Sequence, residues 1–431
     1  MDGTALLQRG SLWAATAASG PDCPPLDGET RADVAVVGAG FTGLSTAVHL
    51  AERGVRVAVL EARGIGEGAS GLNGGQIIPG VKRGRAELAS RFGDAMADRV
   101  VALGDGAAQR VYDLVARHGI RCGLERNGWI RAAHSAMAFA YLEKTARDLE
   151  ARGADVALLG REEAARLIGT ADYVGGMLDR RAGGLQPLSY VRGLAGAALR
   201  LGVAVHAGSP VTALAPAAGG WRVGTVHGAV RAEQVVLATG AYTDRLWPGL
   251  GRTFIGVQSA QIASAPLSPN LRASIVPSRA MVSDTRKLSS YYRVDGDGRL
   301  ITGGRGPLGD VPTPSTLGTI ARTARRRFPM LGDVEWRHAW CGRIDMTLDE
   351  MPRVHRPAAG MWTALGYNGR GVALATAMGA VLAGKIAGAD DAAADFPVTP
   401  LAPVPFHALR GPGIAGAIAW YKLRDALGFA A

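Results

Sequence analysis

The sequence predicts an α/β protein, with one domain built on a parallel sheet and a second domain built on an antiparallel sheet plus helices. Residues 33–63 run through a strand, a helix and a second strand, which is the repeating unit of parallel sheets. Residues 202–241 return to apolar strand patterns, and residues 253–327 contain a hairpin signal. A chain of 431 residues with 48% apolar and 20% charged residues is long enough for two hydrophobic cores.

The segment 33–63 carries a dinucleotide-binding pattern. An apolar run of β-branched residues ends at Gly38, and Gly38, Gly40 and Gly43 fill the glycine positions of G-x-G-x-x-G. In this motif the first glycine permits a turn, the second lets a pyrophosphate approach the backbone, and the third lets helix and strand close up. Glu61 ends the second strand, where a carboxylate accepts the ribose hydroxyls. The sequence therefore predicts a Rossmann-type unit with a dinucleotide at its first turn.

Three further segments are suited to the same ligand. The glycine-rich loop 64–80 must either turn tightly or pass close to something large and flat, although an unliganded flexible loop is the alternative. The strand at 235–238 runs into Gly240 and forms a surface suited to the adenosine end. Residues 366–371 are rich in glycine and open a long apolar helix, whose unpaired N–H groups favour an anion.

Charge and cysteine content limit the expected partners. The net charge of +11 comes mainly from arginine spread along the chain, and we interpret the densest cluster, at 322–327, as a solvated helix face rather than a nucleic-acid site. Three scattered cysteines predict neither a disulfide framework nor a metal site. The N-terminus lacks signal-peptide features, and the apolar stretch 372–386 is too short to span a bilayer. We therefore expect a cytoplasmic protein without a metal.

The remaining segments are expected to form a scaffold. Residues 1–30 are predicted to be an irregular lead-in anchored by Trp13, and residues 87–152 are predicted to be helical rather than sheet. Two strands are predicted on either side of the turn 295–298. Cys341 is expected to be a buried, inert thiol.

The motifs together resemble the D-amino-acid-oxidase-like superfamily of FAD-dependent oxidoreductases, and within it the branch that contains gamma-glutamylputrescine oxidoreductase. The matching motifs span nearly the whole chain: SLWAATA from Ser11, the fingerprint from Gly38, GASGLNGGQ from Gly68, the Tyr291-Tyr292-Arg293 hairpin, WCGRIDMTLDEMP from Trp340 and GYNGRGVALATAMG from Gly366. The implied architecture is a Rossmann-type, GR2-like FAD-binding domain with a substrate domain of antiparallel sheet plus helices. Expected boundaries are 31–88, 188–245 and 335–395 for the FAD-binding domain, 89–187 and 246–334 for the substrate domain, 1–30 for the lead-in and 396–431 for a C-terminal extension.

The resemblance implies that FAD is bound, and that it is bound non-covalently because the GASGLNGGQ loop has no His or Cys to attach it. A second, nicotinamide-binding domain is not expected, since the chain has one G-x-G-x-x-G with its acid. The expected FAD contacts are Gly38, Gly40, Phe41, Thr42, Gly43, Glu61, Ala62, Arg63, Ala69, Ser70, Asn73, Gly74, Gly75, Gln76, Val211, Ala238, Gly240, Gly342, Asn368, Gly369, Arg370, Gly371 and Val372.

The implied activity is oxidation of a small-molecule amine by hydride transfer, giving an imine that hydrolyses to a carbonyl compound, with oxygen or another acceptor taking the electrons. No side-chain base is strictly required, so the expected catalytic residues are positioning groups: Gln76 and Tyr292 for the substrate and Arg370 for the negative charge of the flavin. The alternatives are that Gln76 only bonds the edge of the flavin and that Tyr292 is an aromatic residue of an edge strand. An α-amino-acid oxidase of the same fold, and an RNA-directed or redox-inactive FAD protein, are the alternatives.

A one-residue offset bears on the substrate class. In glycine-oxidase-like members, the strand matching 342–347 carries an arginine that pairs with the substrate's α-carboxylate, and Ile344 stands at that position here. The neighbouring arginine is Arg343, and successive side chains on a strand face opposite sides. We therefore predict that Arg343 is turned away from the pocket, unless a bulge reverses it, and that amines are oxidised faster than α-amino acids.

Overall fold

The computed structural model of the chain describes residues 10–309, 311–388 and 396–429. Its helices are α1 (Leu12–Thr16), α2 (Phe41–Ala51), α3 (Ala69–Leu72), α4 (Arg85–Phe92), α5 (Asp94–Asp105), α6 (Ala107–Arg117), α7 (Ala136–Glu150), α8 (Arg161–Ile168), α9 (Pro187–Arg200), α10 (Pro269–Ser274), α11 (Pro314–Arg327), α12 (Gly371–Ile386) and α13 (Arg410–Ala426). Its strands are β1 (Gly28–Val37), β2 (Val57–Leu60), β3 (Gln76–Ile77), β4 (Trp129–Ala133), β5 (Val156–Leu159), β6 (Gly175–Asp179), β7 (Gly183–Gly184), β8 (Ala204–His206), β9 (Ala213–Ala217), β10 (Gly220–Gly224), β11 (Gly228–Leu237), β12 (Ile255–Pro266), β13 (Met281–Asp284), β14 (Tyr291–Val294), β15 (Arg299–Arg305), β16 (Trp336–Met346), β17 (Arg353–Ala358) and β18 (Met361–Leu365).

The first sheet has the order β17-β18-β11-β1-β2-β8. The strands β18, β11, β1, β2 and β8 run parallel to their neighbours, and β17 adds an antiparallel edge. The strands β9 and β10 form an antiparallel meander with the first half of β11. The predicted strand-helix-strand unit and the strands expected within residues 202–241 are therefore confirmed.

The helices α2 and α12 pack against each other beside this sheet. Nearly every residue of α2 is buried, and α12 is buried from Val372 to Gly384. A helix that is apolar on all sides must be enclosed on all sides, which explains why α12 lies in the core instead of on the surface. Both helices begin next to the same cavity, so their packing determines where their N-termini lie.

The second sheet has the order β16-β12-β15-β14-β13-β4-β6-β5 and is antiparallel except for the pair β13 and β4. The predicted hairpin is confirmed, because β14 and β15 pair across the turn that follows Val294. The apolar face of α11 covers one side of this sheet through Leu317, Ile320, Ala321 and Ala324. The second sheet thus has a hydrophobic core of its own.

Several expectations about the scaffold need correction. The strand β16 pairs with β12 in the second sheet, so the expected domain boundary at residue 335 falls before a strand of the other sheet. The helices α5 and α6 contribute to the same hydrophobic core as β1 and α12, whereas residues 89–117 were expected in the substrate domain. The strand β4 lies within the region predicted to be helical. Helical spacing in that region comes from the flanking helices.

Two other expectations fail in part. The lead-in is not irregular throughout, because residues 12–16 form α1 and Trp13 is buried, as an anchor should be. Arg327 does not belong to a solvated face, since it is 3% exposed and its guanidinium lies 3.5 Å from the carboxylate of Asp284. Residues 1–9, 310, 389–395 and 430–431 of the expected domain ranges lie outside the described residues. Within the described residues, no helix combines the length and apolarity needed to cross a membrane.

Candidate active site

A cavity of about 2560 Å³ is lined by residues from both sheets. Of the residues expected to contact FAD or substrate, the cavity wall contains Gly38, Gly40, Phe41, Thr42, Glu61, Ala62, Arg63, Ala69, Ser70, Asn73, Gly74, Gln76, Val211, Ala238, Gly240, Gly342, Asn368, Gly369, Arg370, Gly371 and Val372. Gly43, Gly75 and Tyr292 are outside that wall. Residues from seven stretches of sequence therefore meet at one place.

The glycine turn after β1 has the geometry that the motif requires. Gly38 has a φ of +105°, which favours glycine, and a Cβ there would lie 2.8 Å from the carbonyl oxygen of Ala238. A Cβ at Gly43 would lie 1.9 Å from the carbonyl oxygen of Gly38, so only glycine lets α2 start this close to the strand. Gly43 thus acts by packing, which explains why it is not in the cavity wall.

Glu61 is held in place at the end of β2 by the backbone of the turn. Its Oε2 accepts a hydrogen bond from the N–H of Ala39 at 2.9 Å, and its Oε1 accepts one from the N–H of Arg63 at 3.1 Å. The carboxylate therefore lies directly beside the glycine turn. A dinucleotide whose pyrophosphate lies at that turn has its ribose within reach of such an acid.

The loop 68–76 closes over the start of α2. The Oγ of Ser70 accepts a hydrogen bond from the N–H of Phe41 at 2.9 Å, and the Oδ1 of Asn73 accepts one from the N–H of Gly75 at 2.8 Å. A Cβ at Gly75 would lie 2.3 Å from the carbonyl oxygen of Leu185, so this glycine is required by packing. The Nε1 of Trp13 donates to the carbonyl oxygen of Asn73 at 2.8 Å, so α1 anchors the loop.

A second turn positions the N-terminus of α12. The buried carboxylate of Asp345 accepts hydrogen bonds from the N–H groups of Gly366 at 2.6 Å and Tyr367 at 3.3 Å. Burial raises the pKa of Asp345 to about 6, and these two donors oppose that change. The hydroxyl of Thr42 lies 2.6 Å from the hydroxyl of Tyr367. The starts of α2 and α12 are thereby joined by direct contacts.

These features fit FAD. Two buried helices open at the cavity, and neither N-cap residue, Gly40 or Arg370, caps its helix with a side-chain hydrogen bond, which suits the pyrophosphate and an electron-rich ring oxygen. A carboxylate lies next to the first turn, and a glycine-rich loop crosses the cavity wall. The residues present therefore match a long ligand with an adenosine end, a doubly charged centre and a flat ring.

The side of the cavity formed by the second sheet contains a group that the pattern of residues did not predict. The ring of Tyr291 lies between two glycines, because a Cβ at Gly303 would be 2.5 Å from it and a Cβ at Gly74 would be 3.1 Å from it. The hydroxyl of Tyr291 lies 2.6 Å from the Oγ of Ser259, and both residues line the cavity. Burial raises the pKa of Tyr291, so the phenol is uncharged near neutral pH.

The expectation that Tyr292 faces the substrate is wrong. Tyr292 is 1% exposed and lies in the core of the second sheet, where its hydroxyl is 3.2 Å from that of Tyr173 and Arg327 lies over its ring. Since side chains alternate along a strand, Tyr291 and Tyr292 must face opposite sides, and Tyr291 is the residue at the cavity. Gly303, which pairs with Tyr291 on the neighbouring strand, was the signal that identifies the correct tyrosine, because its missing side chain leaves room for the ring.

Gln76 and Arg370 do line the cavity, but both also hold the backbone. The Nε2 of Gln76 donates to the carbonyl oxygen of Val282 at 3.4 Å. The guanidinium of Arg370 donates to the carbonyl oxygens of Pro79 at 3.0 Å and Gly80 at 2.8 Å. Burial lowers the pKa of Arg370 to about 10, so the side chain remains charged at neutral pH. Arg370 thus fixes the loop before Lys82 relative to the start of α12.

Three cations meet one carboxylate in the same cavity. The Nζ atoms of Lys82 and Lys287 lie 3.4 Å and 3.6 Å from the Oε1 of Glu350, and the guanidinium of Arg83 lies 3.6 Å from its Oε2. We name these four residues the Glu350 cluster. Burial, together with Arg370 and Lys287, lowers the pKa of Lys82 to about 8. Burial acts to raise the pKa of Glu350, but the charges of Lys82 and Lys287 outweigh burial and hold this pKa below its ordinary value. The cluster carries more positive than negative charge.

Arg343 and Ile344 both border the cavity, so the expectation that Arg343 leaves it is only partly met. The guanidinium of Arg343 lies 5.2 Å from the ring centroid of Tyr242, and Arg63 lies over the same ring at 5.8 Å. Arg63 lies two residues after Glu61, so Arg63 and Arg343 both belong to the end of the cavity that contains Glu61. On β16, side chains alternate between the two faces, so Ile344 lies on the same face as Gly342, against α3.

Cys341 also lines the cavity and is half-buried, which corrects the expectation of a buried thiol.

The last described helix completes the cavity. Residues of α13 that line it include Ile414, Ala417, Ile418 and Tyr421. The carboxylate of Asp425 accepts hydrogen bonds from the backbone N–H groups of Lys287 at 2.8 Å and Leu288 at 3.1 Å. The helix is therefore attached to the same loop that carries one cation of the Glu350 cluster.

Comparison with known proteins agrees with this geometry. Residues 33–385 match the family model described as "DAO: FAD dependent oxidoreductase". The chain is 32% identical over 424 residues to gamma-glutamylputrescine oxidoreductase of Escherichia coli (strain K12), covering 97% of this chain and 98% of that protein. It is 34% identical over 374 residues to the probable oxidoreductase OrdL of Haemophilus influenzae, covering 85% and 86%. The crystal structure of glycine oxidase from Geobacillus kaustophilus superposes with a TM-score of 0.71 at 23% identity, covering 84% of this chain and 96% of that one.

Proposed function

Because the chain belongs to the DAO family of FAD-dependent oxidoreductases, we propose that it oxidises the carbon–nitrogen bond of an amine that carries a remote anionic group. The amine becomes an imine, which hydrolyses to a carbonyl compound, and oxygen or another acceptor takes up the electrons. When bound, FAD supplies the acceptor for the hydride that leaves the carbon next to nitrogen. The protein is proposed to act in the cytoplasm and to hold FAD without a covalent bond.

The proposed cofactor contacts follow from the two helix N-termini. Gly38, Gly40 and Phe41 would hold the pyrophosphate, and Glu61 would hold the ribose. Residues 369–372 at the start of α12 would lie against the electron-rich side of the ring. The loop 73–76 would cross the ring.

The observation that carries the proposed substrate class is the charge arrangement on the cavity wall. Ile344 takes the place where an arginine would meet an α-carboxylate, and Arg343 lies instead against Tyr242 at 5.2 Å. Burying a carboxylate beside an apolar side chain costs several kcal/mol, so α-amino acids should be poor substrates. The excess cations of the Glu350 cluster would favour an anionic group elsewhere on the substrate.

The proposal is tested by mixing the purified, FAD-loaded protein anaerobically with gamma-glutamylputrescine, putrescine, glycine and D-alanine at equal concentrations while flavin absorbance is recorded. We expect the amines to bleach the flavin faster than the amino acids, and gamma-glutamylputrescine to saturate at the lowest concentration. Faster bleaching by glycine or D-alanine, abolished by Arg343→Ala but not by Arg63→Ala, would show that Arg343 binds an α-carboxylate. The protein would then be an α-amino-acid oxidase.

A further inference from the structure

Gln261 on β12 has an unused hydrogen-bond acceptor. The residue is 1% exposed and lines the cavity. Its Oε1 has no hydrogen-bond partner among the described residues, and it lies 3.7 Å from the position of a Cβ at Gly74. A buried amide oxygen without a partner costs free energy, so such a group points to a ligand that supplies the missing donor.

The orientation of this amide is determined by its other atom. The Nε2 of Gln261 donates to the carbonyl oxygen of Leu72 at 2.9 Å, and the Nε1 of Trp340 donates to the same oxygen at 3.1 Å. That carbonyl ends α3, where helical carbonyls lack partners within the helix. A carbonyl accepts and never donates, so the nitrogen of Gln261 must face Leu72 and its oxygen must face Gly74.

The polar groups next to the Oε1 of Gln261 do not compete with it for a nitrogen of the ligand. Ser259 donates its hydroxyl hydrogen to the carbonyl oxygen of Gly304 at 3.1 Å, which leaves Tyr291 as the donor in the pair between their hydroxyls. Arg293, beyond Gly75, donates to the carbonyl oxygen of Leu185 at 2.7 Å. Burial raises the pKa of Tyr291, so it is uncharged near neutral pH. Neither Tyr291 nor Arg293 offers a negative charge to an ammonium ion.

We propose that the Oε1 of Gln261 accepts a hydrogen bond from the nitrogen of the substrate amine and holds that amine in its uncharged form. This assignment rests on the proposed function. An uncharged amine keeps its lone pair while it donates N–H to an acceptor. The lone pair becomes the second bond of C=N as the adjacent carbon loses its hydride, so the nitrogen ends as a protonated imine. A carboxylate at position 261 would favour the ammonium ion, which has no lone pair. Gln261 is thus a residue that selects the protonation state of the substrate.

The test compares Gln261→Met and Gln261→Glu with the wild type, using gamma-glutamylputrescine and putrescine in anaerobic flavin reduction from pH 6 to pH 10. The Met variant keeps the length of the side chain and removes the acceptor, so the amine concentration at half-saturation should rise about three- to tenfold. In the Glu variant, the carboxylate should raise the pKa that governs the limiting rate by about one unit or more. FAD content and melting temperature are measured for each protein.

Two controls separate this role from a structural one. Gln234→Met removes an amide whose two ends are both bonded, to the carbonyl of Ile386 and the indole of Trp362, outside the cavity wall. Trp340→Phe removes the other donor to the Leu72 carbonyl. We expect both controls to keep the half-saturation concentration and the pH profile, even if Trp340→Phe melts earlier. The assignment is overturned if Gln261→Met matches Trp340→Phe in every measurement, or if Gln261→Glu leaves the pKa unchanged. Failure of the wild type to oxidise either amine would instead reject the proposed function.

Discussion

Gly379 of α12 lies so close to Ser45 of α2 that a Cβ at Gly379 would be 2.4 Å from the Cβ of Ser45. The Oγ of Ser45 donates to the carbonyl oxygen of Thr376 at 2.7 Å, which fixes the two helices in the same relative position. Because both helices start at the cavity, this contact sets the spacing between the proposed sites for the pyrophosphate and for the ring.

Gly379→Ala should therefore lower both stability and FAD affinity. The added methyl group forces the helices apart, and overpacking of this kind costs about 1–3 kcal/mol. Gly318→Ala, in α11, is the matched control, since a Cβ there meets only the movable end of Arg322 and should leave stability unchanged or raise it. Urea unfolding and FAD titration measure the two effects. Equal behaviour of the two variants would contradict the proposed role of the helix contact.

Denaturing the purified protein with acid should release FAD into the supernatant, and Glu61→Arg should weaken FAD binding. The substitution removes the proposed acceptor for the ribose and the partner of the Ala39 N–H, so the expected loss is on the order of 1–3 kcal/mol. Glu233→Arg, at an exposed position of β11, should bind FAD normally. Flavin that stays with the precipitated protein would mean that the attachment is covalent.

Tyr291→Phe and Tyr292→Phe should separate binding from stability. Tyr291 faces the cavity and its hydroxyl contacts Ser259, so its loss should raise the substrate concentration at half-saturation by about three- to tenfold. Tyr292→Phe removes the contact with Tyr173 in the core and should lower the free energy of unfolding by about 1 kcal/mol, with unchanged kinetics. The reverse assignment of effects would restore Tyr292 as the positioning group.

Asp345→Asn should remove a pH dependence of stability. In the folded protein the pKa of Asp345 is raised to about 6, above its ordinary value, so ionising this carboxyl is costly only when the chain is folded. The contribution of Asp345 to the free energy of unfolding is therefore complete below the pKa that this carboxyl has in the unfolded chain. It falls as the pH rises towards 6 and stays constant at higher pH. Asparagine lacks this fall, so the stability of the variant relative to wild type should increase by on the order of 1–3 kcal/mol between pH 4 and pH 7. If the free energies of unfolding of the two proteins change with pH in parallel, the pKa of Asp345 is not raised.

Lys82→Met should weaken binding of an amine with a distal carboxylate more than binding of putrescine. The pKa of Lys82 is lowered to about 8, so in the wild type the advantage of the carboxylate-bearing amine should also decline above that pH. Lys422→Met, on the largely exposed helix α13, serves as the control. Saturation curves for gamma-glutamylputrescine and putrescine give both comparisons. An identical loss for the two amines would show that the Glu350 cluster does not bind the distal group.

Local patterns predicted the nucleotide side of the site, whereas the substrate side depended on distant contacts. The glycines at 38, 40 and 43 and the turn before β15 are signals within a few residues, so their structures followed from the sequence. The choice between Tyr291 and Tyr292 depended on which face of β14 meets Gly74, a residue far away in the chain. Gln261 carried no local signal, since its role arises from the carbonyl of Leu72. The Glu350 cluster likewise joins three separate loops.

The strand order of the first sheet has a consequence for how the protein folds. In that sheet β1 lies between β2, its near neighbour in sequence, and β11, which pairs Gly28 with the distant Gly228. The strand β18, which pairs with β11, begins only at residue 361. Closing such long loops before their contacts form makes folding slow and leaves sheet edges exposed to aggregation. No continuous fragment ending before β18 holds the whole nucleotide side. Expression of residues 28–245 alone should therefore yield insoluble protein, and chaperone supply should raise the yield of the full chain.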